Sequence, residues 1–433
     1  MSLDLWLNQE QLLSMQRALL LLMPCVATVL LWLMRPPTAR VATGLMVAFL
    51  WNLPALLILN VLAMELGWWR FAPGASQLLG VPIDVWIGWA LWWGPVAVML
   101  VRLMGLWPVL AGMVAVDLVS MPLLEPLVLL GPNWQVGEPV AIGLSLLPSL
   151  AFAHWTASDR HPLLRTGLHI LGWGGYVLWV LPACALAWEG RSLLVLSREP
   201  LTLLQWCLVP VMLLCLLAGM AAALEFARAG DGTPIPYDPP KRVVTSGPYA
   251  YVANTMQLTS AVLMLCWAAF AQSLALLAIA ASFVVFDVLF ASVYNRVHIA
   301  HAFPLQWDRY RRHVHEWRIN WRPYRTEQPA HLYVSNLTPC LELYLAWLAR
   351  RRPSNLLMIE RSACGPDVLL RYEAPGLPCA EYGASAMARA LEHTHLGYAM
   401  LAWLIRFPLL AQVMDRLLHR ALRLHYGLSL AQA

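Results

Sequence analysis

The chain of 433 residues is 60% hydrophobic and only 12% charged, with a mean hydropathy of +0.60. A soluble domain carries roughly 25% charged residues, so this composition excludes an ordinary soluble protein. The net charge of +5 comes almost wholly from arginine, Lys241 being the only lysine, and these arginines flank apolar runs, which suits anionic lipid headgroups rather than nucleic acid.

Taken from the N-terminus, the runs 18–34, 41–64, 166–188 and 203–223 contain no Asp, Glu, Lys or Arg. Each is long enough to cross about 30 Å of hydrocarbon at 1.5 Å per residue. The first is expected to be a span rather than a signal peptide, because its leader carries Asp4 and Glu10 and no small-residue cleavage site follows. The hydropathy predicts about nine spans, at 14–34, 41–64, 83–101, 106–130, 139–156, 166–188, 203–226, 257–272 and 274–294. With alternating loops, Arg35, Arg40, Arg102, Arg160, Arg165, Arg228, Lys241 and Arg242 fall on one side, against Arg17, Arg70, Arg191 and Arg198 on the other. The positive-inside rule then puts the N-terminus outside and everything after about Asn295 in the cytoplasm, as in a bacterial inner-type membrane. Trp68, Trp69, Trp86, Trp89 and Trp107 are expected in an interfacial belt. Asp117, Glu125 and His169 are intramembrane candidates for lining a cavity, although Glu125, between Pro122 and Pro126, could simply reach water. The eight cysteines show no CxxC and no zinc-type spacing. His298 and His301 could share a helix face but lack a third ligand, so no metal site is expected.

The loop at 227–256 contains the run Gly230–Pro240, too dense in proline and glycine for helix or central strand. A turn-rich loop between spans is a natural place for function. After the last span, residues 307–324 interleave arginines with large aromatics, which reads as a juxtamembrane anchor. From 330 onward the pattern is a small α/β unit. Strands are expected at 331–335, 355–360 and 368–373, and helices at 340–351, 384–391 and 396–424, the last interrupted at Pro408.

The stretch from Arg242 to Gln257, with Gly247-Pro248-Tyr249-Ala250-Tyr251-Val252 and Asn254 entering a span, resembles the signature of the isoprenylcysteine carboxyl methyltransferase and phospholipid methyltransferase superfamily. The short hairpin around 271–273 and the later Phe303-Pro304 with Trp307, Tyr310 and Val314 follow in the family's order, so the resemblance covers about 215–325. It implies S-adenosylmethionine as cofactor and a hydrophobic acceptor (an isoprenoid, quinone-like or lipid molecule) entering from the membrane. It places Gly247, Pro248, Tyr249, Tyr251, Asn254, Met256 and Arg296 on the cofactor side, with Asn295, Arg296 and Tyr310 as catalytic candidates. The sequence departs from the family at Ala253 for arginine, Thr255 for proline, and Asn295-Arg296 for a glutamate pair. The tail resembles the DCC family of thioredoxin-like proteins, with Cys340 at the second cysteine but Leu337 and Val334 at the first cysteine and the aspartate. A single thiol there cannot cycle between dithiol and disulfide.

The expectation is therefore an all-α polytopic membrane protein with a small α/β thioredoxin-like C-terminal domain. Its parts are a six-helix region at 1–200, a methyltransferase-like region at 201–326 and a DCC-like domain at 327–433. Its partners are membrane lipids and the acceptor. A second reading is a catalytically degenerate scaffold, a subunit or assembly factor of a larger membrane complex, with other membrane subunits as partners.

Overall fold

A computed structural model of the protein describes residues 9–74, 76–196, 200–234, 238–334, 339–360 and 370–430. The side chains of 194, 290–292, 294–296, 339–340, 360, 419 and 421–430 also lie outside the described residues. The protein is mostly helical and divides into two compact units, Met1–Pro200 and Leu201–Ala433. Among the described residues, seven helices are long and apolar enough to cross a membrane.

Six of these helices make up the first unit: Gln9–Met34, Ala39–Glu65, Ile83–Met104, Leu106–Leu123, Trp134–Ala157 and Pro162–Trp188. Leu19, Leu33, Val119 and Leu171 on them stay exposed, apolar surface that lipid covers at no cost and water does not. Proline inside a helix removes a backbone donor and crowds the preceding turn. Three of the helices absorb this with wide π turns at Trp92–Val96, Ile142–Leu146 and Tyr176–Val180, at or just before Pro95, Pro148 and Pro182. The helix expected at 106–130 keeps Pro122 in its last turn and stops at Leu123, short of Pro126, which cannot continue it. Residues beyond it form β4 (Val128–Leu130), antiparallel to β1 (Trp69–Phe71), while β2 (Gln77–Leu78) pairs with β3 (Val81–Pro82).

Two of the expected belt tryptophans are core residues instead. Trp69 and Trp86 are buried, and their indole N–H groups donate to the Asn60 side chain at 2.9 Å and the Leu53 carbonyl at 2.7 Å. A satisfied donor removes the reason an indole seeks the headgroup layer. Trp107 is exposed, as a belt residue would be. Glu125 lies exposed beyond the end of its helix. His169 packs edge-on against Phe152 and bonds the Arg165 carbonyl at 2.9 Å. Asp117 hydrogen-bonds Glu138, a buried partner that the sequence did not flag.

The second unit begins with the helix Leu203–Gly230. Thr202 and Gln205 form a reciprocal capping box at its start, and Asp231 in a left-handed conformation ends it. Two further apolar helices, Thr255–Ala271 and Leu274–Tyr294, form a hairpin turned by Gln272 at φ 48°. A π turn at Asn295–Ala300 and a short helix at Pro304–Arg311 follow. The tail contains a four-stranded sheet of order β6-β5-β7-β8, made of β5 (Ala330–Val334), β6 (Leu356–Glu360), β7 (Leu370–Glu373) and β8 (Glu381–Tyr382). Strands β5 and β6 are parallel, and the other pairs are antiparallel. The helix Pro339–Arg350 provides the crossover that a parallel pair requires. Leu332, Leu348, Leu370 and Ala386 fill the core between sheet and helices. The helices Gly383–Glu392, Leu396–Ile405 and Pro408–Leu430 close the chain, the last two bent by 85° around Phe407.

Candidate functional site

The Gly-Pro-Tyr turn is set by its neighbours on both sides. Gly247 has φ +59°, and a Cβ on it would come 2.9 Å from Glu225 Cγ, so both backbone and space require glycine. Pro248 opens a short 3-10 turn, and Gly247 to Ala250 are all buried. Against the residues that follow lies the arginine-aromatic segment, which the sequence suggested as a membrane anchor. Ala253 and Asn254 N–H groups donate to the carbonyls of His315 and Glu316, and Asn320 and Tyr324 N–H groups donate to those of Tyr251 and Ala250. Four backbone bonds thus clamp the motif along its length. Trp321 of the same segment is exposed and stacks on His395 at 5.0 Å.

Beside this clamp is a cavity of about 60 Å³. It brings together four of the residues singled out from the sequence: Tyr249, Asn254, Met256 and Tyr310. Thr233, Gln257 and Trp307 also line it and were not singled out as site residues, Trp307 having served only as a motif position. The Thr233 hydroxyl is fully buried and has no hydrogen-bond partner among the described residues. Tyr310 is buried, and its hydroxyl donates to the Tyr249 carbonyl at 2.7 Å, which burial reinforces by pushing its pKa far above the usual 10. It therefore acts as a fixed neutral donor that ties the short helix to the turn.

Three of the other candidates, Tyr251, Gly247 and Pro248, do not line the cavity. Tyr251 points away, its hydroxyl donating to the Glu392 carbonyl at 2.7 Å and its ring meeting Trp403 edge-on at 5.9 Å. Gly247 and Pro248 shape the turn without lining the cavity. Asn295 and Arg296 lie in the π turn, and their side chains are outside the described residues, as are Leu337, Cys364 and the Cys340 side chain. Asp287, Asp308 and Glu316 are the nearby carboxylates that could replace the missing glutamate pair. Asp308 and Glu316 pair with Arg312 at 2.5 Å and Arg311 at 3.0 Å, and Asp287 is buried in the Leu274–Tyr294 helix, outside the cavity lining. No group of three or more potential metal ligands occurs among the described residues.

Behind the turn is a buried ionic cluster that the sequence did not suggest. Arg389 donates from Nη1 and Nη2 to the two oxygens of Glu225 at 2.9 and 3.0 Å. Its Nε and Nη2 also reach Glu381, and its Nη1 reaches Glu392, so all five of its N–H donors are used. Arg406 bonds the same three carboxylates, at 2.8 to 3.2 Å. The Ser246 hydroxyl completes the shell of Glu225. The available signal was one glutamate near the end of an apolar helix and one arginine within the alanine-rich Gly383–Glu392 helix. Single buried charges of that kind imply partners without naming them.

The cavity walls suit part of an adenosyl sulfonium compound. Tyr249, Trp307 and Tyr310 make part of the lining aromatic, a residue type that packs against an aromatic base or a cation. Thr233, Asn254 and Gln257 offer hydroxyl and amide groups for polar edges. The volume is that of a few water molecules, well under the roughly 300 Å³ or more of a small-molecule pocket, so a nucleoside-sized ligand requires the cavity walls to part. Comparison with protein-family profiles, with curated proteins and with solved structures returns no match to the chain.

Proposed function

We infer that the chain is an integral membrane protein of the methyltransferase type, binding S-adenosylmethionine in the Tyr249–Asn254–Tyr310 cavity and methylating a hydrophobic acceptor. What carries this reading is the convergence of four motif residues, spread from 249 to 310 in sequence, on one cavity with an orphaned hydroxyl. The hairpin helices 255–271 and 274–294 would complete nine spans, giving an acceptor access from lipid. The sheet order, with a parallel β5–β6 pair and antiparallel β7 and β8, suits a thioredoxin-like tail of the DCC type.

When bound, S-adenosylmethionine supplies a methyl group already activated by its sulfonium. The chain's own part is then to hold, align and exclude water. Tyr249 and Trp307 would hold the adenosyl and sulfonium portions, and Thr233, Asn254 and Gln257 would bond the polar edges. Arg296 would pair with the amino-acid carboxylate through its fork, which lysine cannot reproduce. Arg296→Ala should weaken binding by roughly ten- to a hundredfold and Arg296→Lys by less, as for loss of a charge-assisted bond. Tyr249→Ala should weaken it as well. Titration calorimetry on purified protein reads all three, and variants that bind like wild type would remove this assignment.

The scaffold reading is favoured by a different observation. The described lining carries no carboxylate, and the motif's Ser246 and Tyr251 bond Glu225 and the Glu392 carbonyl of the tail rather than groups of the cavity. In either reading the arginine bias puts the N-terminus outside and the tail in the cytoplasm. A reporter fused after Ala433 should be active in the cytoplasm and one near Gly74 outside; the reverse pattern would invert the topology.

A further inference from the structure

The ionic cluster joins three parts of the second unit that are far apart in sequence. Glu225 comes from the last turns of the Leu203–Gly230 helix, Ser246 from the Gly-Pro-Tyr turn, and Glu381, Arg389, Glu392 and Arg406 from the tail. Glu225, Arg389 and Arg406 have side chains no more than 5% exposed. Arg228, one turn after Glu225, lies in electrostatic range of Glu225 and Glu381, so three carboxylates face three guanidinium groups. Charges this deep are tolerated only while each keeps its partners. The cluster therefore has one arrangement, and a shift of any member leaves a buried charge unmatched.

Its position beside the cavity gives this rigidity a use. Glu225 accepts the Ser246 hydroxyl, and its Cγ sits where a Gly247 side chain would be. Two residues further, Tyr249 lines the cavity, and its carbonyl receives the Tyr310 hydroxyl. Next to Glu225 in the chain, Phe226 forms another part of the cavity wall and meets the Tyr249 ring at 6.2 Å. The Tyr251–Glu392 bond fastens the same turn to the tail from its other side.

We propose that Arg389 and Arg406 are positioning residues for the cavity, acting through Glu225 on the Ser246–Gly247 turn, so that the cavity is formed only while the tail is docked. The tail thereby serves a role independent of any dithiol chemistry. The proposal rests on the reading above only for the identity of the ligand.

Amide hydrogen exchange on the full chain in detergent tests it at Tyr251, Val252, Ala253 and Asn254, whose N–H groups bond Pro248, His315 and Glu316. The sheet amides of 331–334 and 370–373 serve as the internal control. Ser246→Ala removes one hydroxyl and leaves the tail's own bonds intact. It should raise exchange at 251–254 by about tenfold, the size of one bond to a charged acceptor, with the sheet unchanged. Arg389→Lys, which keeps the charge but at most three of five donors, should raise it further, and Arg389→Gln further still. Unchanged exchange at 251–254 in Ser246→Ala overturns the proposal. So does an equal rise in loop and sheet in both Ser246→Ala and Arg389→Lys, since that is loss of fold rather than of position. A parallel S-adenosylmethionine titration separates the two ideas. If wild type binds no cofactor, the methyltransferase reading fails, while the exchange pattern still decides the positioning role.

Discussion

Glu225→Ala is expected to destabilise the second unit by about 3–5 kcal/mol, the cost of breaking a buried ion pair from one side. Arg389 and Arg406 lose an acceptor that each reaches at 2.9 to 3.1 Å, and neither guanidinium can shed its proton to compensate. Three arginines would then face only Glu381 and Glu392 in a site closed to water. At about 2–4 °C per kcal/mol for a unit of this size, the melting temperature should fall by on the order of 10 °C. Glu225→Gln keeps the shape and should cost less. A change of only a degree or two for Glu225→Ala, by scanning calorimetry in detergent, would mean that the cluster contributes little.

The tail should also lose stability in mild acid, through His393. This half-buried ring lies between the Tyr372 hydroxyl at 2.8 Å and the Ser354 carbonyl at 2.6 Å. The carbonyl can only accept, so Nδ1 bears the proton and Nε2 accepts from Tyr372, which is the neutral imidazole. Burial pushes its pKa down from the usual 6.5 to about 4, against the pull of the Ser354 carbonyl and with Arg389 adding in the same direction. The folded pKa is the lower one, so the unfolded chain binds more protons between the two values. The stabilisation is complete above pH 6.5 and is lost as pH falls toward 4, by about 3 kcal/mol in all. Glu381 is pushed up by burial but held below its usual 4.5 by Arg389 and Arg406, so its own acid sensitivity begins lower. The difference between wild type and His393→Gln, read by melts between pH 7 and 4.5, therefore isolates the histidine. His393→Gln should be less stable at pH 7 and lose about 3 kcal/mol less than wild type across that window; an unchanged slope would assign it elsewhere.

The spans were legible because a membrane imposes one rule over some twenty residues at a time, and charge-free runs of that length have few other readings. Helix ends were legible where proline or a cap marks them, at Thr202 for a span and at Phe407 in the tail, but not at Leu123, where the chain leaves the helix for strand β4. The tail's strands and helices followed from alternation and periodicity over short segments. At the site, local chemistry showed the Gly-Pro-Tyr turn and its tyrosines. What it could not show was long-range pairing, since Glu225 and Arg389 stand 164 positions apart and nothing in either neighbourhood names the other. The same limit hid the clamp, whose bonds are made by backbone groups and leave no trace in side-chain identity. The resembled motif runs through Tyr251 and places it on the cofactor side, yet its hydroxyl donates to the Glu392 carbonyl of the tail.

The proposed binding of S-adenosylmethionine in the cavity at Tyr249, Asn254 and Tyr310 can be read by calorimetric titration of the purified wild-type chain in detergent. Saturable binding of one cofactor per chain below millimolar concentration, weakened in Tyr249→Ala, is expected. No heat of binding at millimolar cofactor would contradict it and leave the scaffold reading in its place.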